Sequence, residues 1–191
     1  MNPLIDVSKV KLYSERLVLR PFEKSDLDDF FEYASVDGVG QMVGWLPHKN
    51  KEETKVILDM FIEHKKTLAI VLNNKVIGSI GIERYSEERI PGLEKYKARE
   101  LGFVLSKAYR GKGLMTEACK VVIEYLFNVE KLDLIVCCHF KENYQSKRVQ
   151  EKCGFTYYLD NQYATRYNSI KDNVVNILFN SRYKEDENLC Q

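Results

Sequence analysis

The chain has 191 residues, with 29 Lys+Arg against 28 Asp+Glu and a formal net charge of +1. That length suits one domain with a sizeable core, and the charge balance gives no general electrostatic argument for a nucleic-acid or anionic-membrane partner. Residues 1–20 lack the apolar core of a secretory leader and no apolar run is long enough to span a bilayer, so a cytoplasmic protein is the expectation.

In chain order, Leu12–Leu19 reads as the opening strand, carried by Leu17, Val18 and Leu19 and ended by Pro21. Ser25 is placed as the N-cap of a first helix, with Asp26 and Asp28 in its first turn and Leu27, Phe30, Phe31 and Ala34 at helical spacing. Val36–Asn50 is loop-like and holds the only tryptophan, Trp45, and His48; it suits a substrate-entry wall, or Trp45 plugs the edge of the core. A second helix starts after Asn50, with Glu53 in the capping-box position and Val56, Ile57, Met60 and Phe61 as its expected buried stripe. Thr67–Leu72 and Lys75–Tyr85 are strands joined by Asn73-Asn74, a pair that tolerates the positive φ of a two-residue hairpin. Gly78 and Gly81 interrupt the second strand and mark a bulge or a close backbone approach. Ser86–Ala98 is a charged loop.

The stretch Arg99–Ala118 then runs as a strand through Phe103, Val104 and Leu105, a basic turn Arg110-Gly111-Lys112-Gly113, and a helix from about Gly113 whose apolar positions are Leu114, Met115, Ala118, Val121, Val122, Tyr125 and Leu126. A strand feeding a glycine turn into a helix N-terminus makes an anion site from free N–H groups and the positive dipole end; the plainer reading is an ordinary connection with exposed basic residues. It is not a P-loop, because Gly111-Lys112 is followed by Gly113 instead of Ser or Thr. Nor is it a dinucleotide fingerprint, since Thr116 stands at the third glycine.

Leu132–Phe140 is a continuous apolar run, typical of a strand covered on both faces. Asn143-x-x-Ser146 opens a short helix through Val149 to Lys152, with Gly154 as its C′ residue. Phe155–Leu159 and Val174–Phe179 are further strands, separated by a polar loop at Asp160–Lys171, and the tail from Lys184 is charged. The five cysteines, Cys119, Cys137, Cys138, Cys153 and Cys190, form no Cys-x-x-Cys pair and read as reduced thiols, with neither a disulfide framework nor a metal site. A nucleophilic Cys138 with His139 as base is disfavoured because neighbours in a strand point to opposite faces.

Arg110-x-x-Gly113-x-Met115 resembles the acetyl-CoA motif of the GNAT N-acetyltransferases, Arg/Gln-x-x-Gly-x-Gly/Ala, with Met115 departing at the last position. The flanking Glu100-Leu101-Gly102-Phe103-Val104-Leu105 and Thr116-Glu117-Ala118 resemble the branch of ribosomal-protein N-terminal (alanine/serine) acetyltransferases. The resemblance implies one α/β domain, covering about residues 12–183 of a single-domain chain, with a mixed sheet splayed at its centre and helices on both faces. It implies acetyl-CoA as co-substrate and no metal. The diphosphate would lie on Arg110, Lys112 and the amides of Gly111, Gly113, Leu114, Met115 and Thr116, and the pantetheine arm along Phe103, Val104 and Leu105 beside Asn143 and Ser146.

Transfer to an amine without an acyl-enzyme needs a proton acceptor and a stabilised thiolate. The resemblance points to Glu100 for the first, directly or through water, and to the Ser146 hydroxyl for the second. Many members carry a tyrosine where this chain has Gln150. The acceptor implied is a peptide N-terminus or a small amine; a homodimer is left open. The other reading of the same motif is a non-catalytic acyl-CoA sensor or interaction module.

Overall fold

The computed structural model describes residues 1–183; the expected charged tail and Cys190 lie outside them. Eight strands form one sheet: β1 (Leu12–Tyr13), β2 (Val18–Pro21), β3 (Thr67–Leu72), β4 (Lys75–Glu83), β5 (Ala98–Leu105), β6 (Leu134–Phe140), β7 (Thr156–Ala164) and β8 (Ile170–Phe179). Their spatial order is β1-β2-β3-β4-β5-β6-β8-β7. Every pairing is antiparallel except β5 with β6. Four helices complete the frame: α1 (Leu27–Ala34), α2 (Lys51–His64), α3 (Leu114–Asn128) and α4 (Tyr144–Lys152). The mixed α/β architecture is the one expected.

Alternation along β3 sends Leu68 and Ile70 into a cluster with α3, and Ala69 and Val71 into a cluster with α1 and α2. The sheet is therefore covered on both faces. In β4 the register against β3 shifts between Ile70 and Val71, so that Ile70 faces Gly78 while Val71 faces Val76. The extra residue is Ile77, which joins the α3-side cluster with Ile80 and Ile82 although its parity differs from theirs. Asn73 and Asn74 close the β3–β4 hairpin at φ 50° and 64°.

Several expectations are corrected. The opening strand is two short strands paired across a turn, Leu12 with Leu19 and Tyr13 with Val18. Ser25 caps nothing: the chain enters α1 through a 3₁₀ turn at Lys24–Asp26, and Asp26 accepts from the Glu23 N–H (2.8 Å) while holding the Arg20 guanidinium by two bonds (2.7 and 2.8 Å). In α2 the stripe is Thr54 and Leu58, supported by Ile57 and Phe61; Val56 is 66% exposed. The polar run Asp160–Lys171 is mostly strand, leaving a turn only around Thr165–Ser169. β7 is an edge strand, so its side chains are largely exposed and carry no apolar alternation.

Gly78 shows why a strand interior admits glycine: a Cβ there would lie 2.3 Å from the Val104 carbonyl oxygen of β5. That oxygen belongs to a paired strand and cannot retreat. Gly78→Ala is expected to destabilise by about 2 kcal/mol, an overpacking cost, lowering Tm by roughly 4–8 °C for a chain of this size. A calorimetric Tm within a degree of wild type would show that the β4–β5 spacing adjusts freely.

Candidate active site

The β5–β6 ladder is short. Ala98 pairs with Leu134, Arg99 with Ile135 and Glu100 with Val136, and there it stops. Both strands continue, each bonded to its other neighbour: β5 to β4 as far as Leu105–Gly78, and β6 to β8 as far as Phe140–Asn173. Each outer ladder holds its strand in place, so the inner edges diverge. At the fork the Cys137 thiol donates to the Leu101 carbonyl (3.1 Å), and burial pushes this thiol well above its ordinary pKa. Beyond it lies a cavity of about 440 Å³ whose walls include Phe103, Val104, Leu105, Arg110, Gly111, Gly113, Leu114, Met115, Thr116, Asn143 and Ser146.

The glycine turn supplies one end of this cavity. Gly111 and Gly113 sit at φ 76° and 77°, a region that glycine enters without the strain other residues incur. A Cβ on Gly111 meets nothing within 4 Å, and one on Gly113 meets only an Arg16 nitrogen at 3.7 Å. Beyond the φ requirement, protein packing does not demand glycine here; the space above belongs to whatever approaches the turn. The Arg110 N–H reaches the Lys107 carbonyl (3.3 Å), whereas among the described residues the N–H groups from Gly111 to Thr116 meet no acceptor. α3 carries no side-chain cap, so its first-turn donors and dipole end face the cavity.

Arg110 lines the cavity with its Nε bonded to the Leu105 carbonyl (3.2 Å), and burial lowers its pKa. Lys112 is not among the lining residues: its ammonium bonds the Ala108 carbonyl (3.1 Å) and lies over the Tyr109 ring. The Met115 side chain is 6% exposed and packs in the core, which absorbs the bulk that departs from the usual motif.

The opposite wall is α4. Asn143 is its N-cap, Oδ1 accepting from the Ser146 N–H (3.1 Å), and its Nδ2 donates to the Met42 carbonyl (3.1 Å) of a 3₁₀ turn at Gly40–Val43. Val39, Met42 and Val43 thereby roof the cavity, a contribution the sequence did not reveal. Tyr144, Arg148 and Lys152 line it as well, and their i, i+4 spacing is a signal that could have found them.

A second cavity of about 430 Å³ lies on the α1–α2 face, and Val43, Phe103 and Val104 line both. Its floor is Thr67, Ser79, Gly81 and Gly102, with Gly81 and Gly102 directly paired. Phe30, Tyr33, Trp45, His48, Glu53, Phe61 and Arg166 contribute to its walls. His48 Nδ1 lies 2.9 Å from the Thr54 hydroxyl, which itself donates to the Asn50 carbonyl (3.1 Å). The hydroxyl's one hydrogen is thus committed, so His48 donates from Nδ1 and keeps a lone pair on Nε2. Burial lowers its pKa, favouring the neutral ring.

Glu100 lines neither cavity but stands next on the same face as Gly102, in register with Glu83 of β4, whose carboxylate is paired with Lys66. Burial raises the Glu100 pKa, the Cys138 thiol and Arg89 oppose that, and Glu83 adds to it. The neighbouring Arg99 guanidinium bonds the Ile82 (2.8 Å) and Pro3 (3.2 Å) carbonyls. Burial pushes the Cys138 thiol well up, and the adjacent His139 ring contacts the Phe140 carbonyl, neither of which favours the nucleophilic reading. Among the described residues, no group of three or more His, Cys, Asp or Glu is placed to hold a metal, and no helix is long and apolar enough to cross a membrane.

The sheet parts at its one parallel pair, with a glycine turn and a bare helix N-terminus at the mouth of the gap, the arrangement that the sequence resemblance implies. Residues 16–156 match the model of the acetyltransferase (GNAT) domain. The chain belongs to the GNAT family of N-acetyltransferases. A 55-residue segment is 46% identical to the probable N-acetyltransferase YjcK of Bacillus subtilis, spanning 29% of this chain and 30% of that protein. A GNAT-family acetyltransferase from Bacillus anthracis superposes with a TM-score of 0.78 at 24% identity, covering 90% of this chain and 99% of the other. The microcin C7 self-immunity acetyltransferase MccE, solved with acetyl-CoA and AMP, superposes at 0.70 with 16% identity, covering 87% and 93%. At these identities the two structures speak for the fold.

The glycine turn is braced from outside. Glu117, in the first turn of α3, accepts from the Ser14 hydroxyl (2.7 Å), the Arg16 N–H (2.9 Å) and the Arg16 Nε (2.7 Å), while Arg16 Nη1 bonds the Lys112 carbonyl (3.1 Å). Burial works to raise the Glu117 pKa, but the Ser14 and Arg16 bonds outweigh it and the net shift is down. A carboxylate whose folded pKa is depressed adds stability above its unfolded pKa and loses it as pH falls through the folded value. Glu117→Gln is therefore expected to lower Tm at pH 7 and to converge with wild type in acid. A Tm gap that stays constant down to pH 3 would remove this carboxylate's charge from the brace.

Proposed function

We propose that this protein transfers the acetyl group of acetyl-CoA to a primary amine by direct attack within a ternary complex. The observation that carries the reading is the meeting of the two cavities at Val43, Phe103 and Val104, where an extended donor arm on one side and an amine on the other would come together. The free amides of Gly111–Thr116, the open space above both glycines and the cavity along the unpaired edge of β5 fit a coenzyme A thioester. When bound, it supplies an activated acetyl thioester.

In this reading the amides from Gly111 to Thr116 and the Arg110 guanidinium hold the diphosphate, with Lys112 adding charge from outside the cavity. The main chain of Phe103, Val104 and Leu105 orients the pantetheine arm, with Asn143 across from it. Glu100 accepts the proton of the attacking amine, directly or through water, and the Ser146 hydroxyl meets the departing sulfur. The acceptor enters from the aromatic second cavity; a peptide N-terminus or a small amine suits an opening lined by Trp45, His48 and Arg166. A module that only binds acyl-CoA has no use for that second cavity.

Substituting Gly113 by Val should abolish acetyl-CoA binding in calorimetry while thermal unfolding stays cooperative; undiminished affinity would remove the turn from the site. Because Glu100 is a base only when ionised, and burial raises its pKa, the acid limb of kcat/KM should lie above the ordinary carboxylate range. Glu100→Gln should lower turnover at least tenfold and abolish that limb, on the scale of general-base effects. An unaltered pH–rate profile in the variant would take Glu100 out of the mechanism.

A further inference from the structure

Gln150 is 1% exposed, one helical turn beyond Ser146, and its side chain touches three elements. The Cys138 carbonyl of β6 lies 3.1 Å from Nε2, the Ser146 Oγ of α4 lies 3.1 Å from the same nitrogen, and the Asn176 Nδ2 of β8 donates to Oε1 at 2.7 Å. A carbonyl can only accept, so the amide nitrogen must face Cys138 and the amide oxygen must face Asn176. That fixes the orientation of the side chain without reference to the hydrogens. Both hydrogens of the Gln150 amide are then used, one on Cys138 and one on Ser146.

The consequence falls on Ser146. Its oxygen accepts from Gln150, so its own hydrogen cannot point that way. Among the described residues no acceptor meets that hydrogen. Ser146 lines the cavity along β5, and that is the direction left for its O–H.

We propose that Gln150 is a positioning residue that commits the Ser146 hydroxyl to act as a donor into the cavity, where it meets the leaving sulfur. This rests on the role given to Ser146 under the proposed function. In the step concerned, the amine nitrogen forms a bond to the acetyl carbon and the carbon–sulfur bond breaks, its electron pair passing to sulfur. The amine proton goes to Glu100, the Ser146 hydrogen bond stabilises the thiolate, and water later protonates it. A tyrosine at position 150 would act by reaching the sulfur itself; the glutamine acts one atom further back, by removing the other use of a serine hydrogen.

The test is Gln150→Glu, which keeps the size and the Asn176 contact but is acceptor-only when ionised, so the Ser146 hydrogen turns toward it and away from the cavity. At pH 8, kcat should fall at least tenfold, to the level of Ser146→Ala, with KM for acetyl-CoA within about twofold of wild type, since the lost donor acts on the developing thiolate and not on ground-state binding. Relative to wild type at each pH, the rate should recover on acidification as the carboxylate takes a proton, and the Ser146→Ala, Gln150→Glu double variant should show neither further loss nor recovery. Wild-type kcat in Gln150→Glu, or losses that multiply in the double variant, would overturn the proposal. Independently of whether the variant folds, both side-chain amide hydrogens of Gln150 in the native protein should exchange slowly by NMR; rapid exchange of either one overturns it. Wild-type protein without amine-dependent thiol release would sink the transferase reading and this inference together. Release in wild type beside an unimpaired Gln150→Glu sinks this inference alone.

Discussion

The rest of the molecule is arranged around an interrupted ladder. β5 and β6 pair for three residues and then part, leaving main-chain groups of Gly102–Leu105 on an inner edge without a neighbouring strand. Buried peptide groups without partners are costly, on the order of a lost hydrogen bond each, so an edge inside a protein needs a compensating partner. The Cys137 thiol takes the Leu101 carbonyl just before that edge, and the Arg110 Nε takes the Leu105 carbonyl at its end. The others border a cavity wide enough for a chain-like arm that can pair as a strand does. What keeps the fork open is the strength of the flanking ladders: β4 and β8 each bond their partner to its end, so neither central strand can swing inward without breaking its own pairing.

At the glycine turn the groups left open to the cavity are backbone donors more than side-chain charges. Lys112 is turned onto Tyr109 and the Ala108 carbonyl, and Arg110 is tethered to Leu105 and partly desolvated. The six consecutive free amides and the dipole end of α3 remain. An acid in that same first turn, Glu117, would ordinarily weaken such a site. Here its charge is taken up by Arg16, whose other nitrogen holds the Lys112 carbonyl, so the carboxylate serves to fix the turn.

Features written in short-range chemistry were legible from the residues alone. Asn73-Asn74, Gly111 with Gly113, and Asn143 with Ser146 each state a local conformational requirement that only a few residue types meet, and each stands where its neighbours place it. The parting of the strands was legible only through resemblance, because no residue in β5 or β6 spells out where pairing ends. The start of β7 was legible, but its continuation from Asp160 was misread as loop because an exposed edge strand carries no apolar alternation. The α2 stripe was misread because a threonine, Thr54, takes a buried place that hydropathy assigns to Val56. The second cavity was legible only through the Val36–Asn50 loop, which supplies Trp45 and His48; the rest gathers side chains from two helices, three strands and a second loop, and no sequence spacing encodes that convergence.

In the proposed reaction, proton traffic would tie the two cavities together. An amine arriving in water is mostly ammonium, and it reacts only after losing its proton, so the face that receives it needs a base that is ionised yet not too weak. Glu100 and Glu83 stand side by side across β5 and β4, and Lys66 neutralises only the second. Burial and the neighbouring carboxylate raise the Glu100 pKa, which would strengthen it in the proposed role of base. On the far wall burial lowers the His48 pKa, and its ring packs against Trp45 and against Phe30, itself stacked on Phe61. Burial disfavours charge on either partner: it raises the Glu100 pKa, and in the proposed reaction it would lower that of an ammonium bound beside it, so one desolvation would favour the proton transfer from both sides.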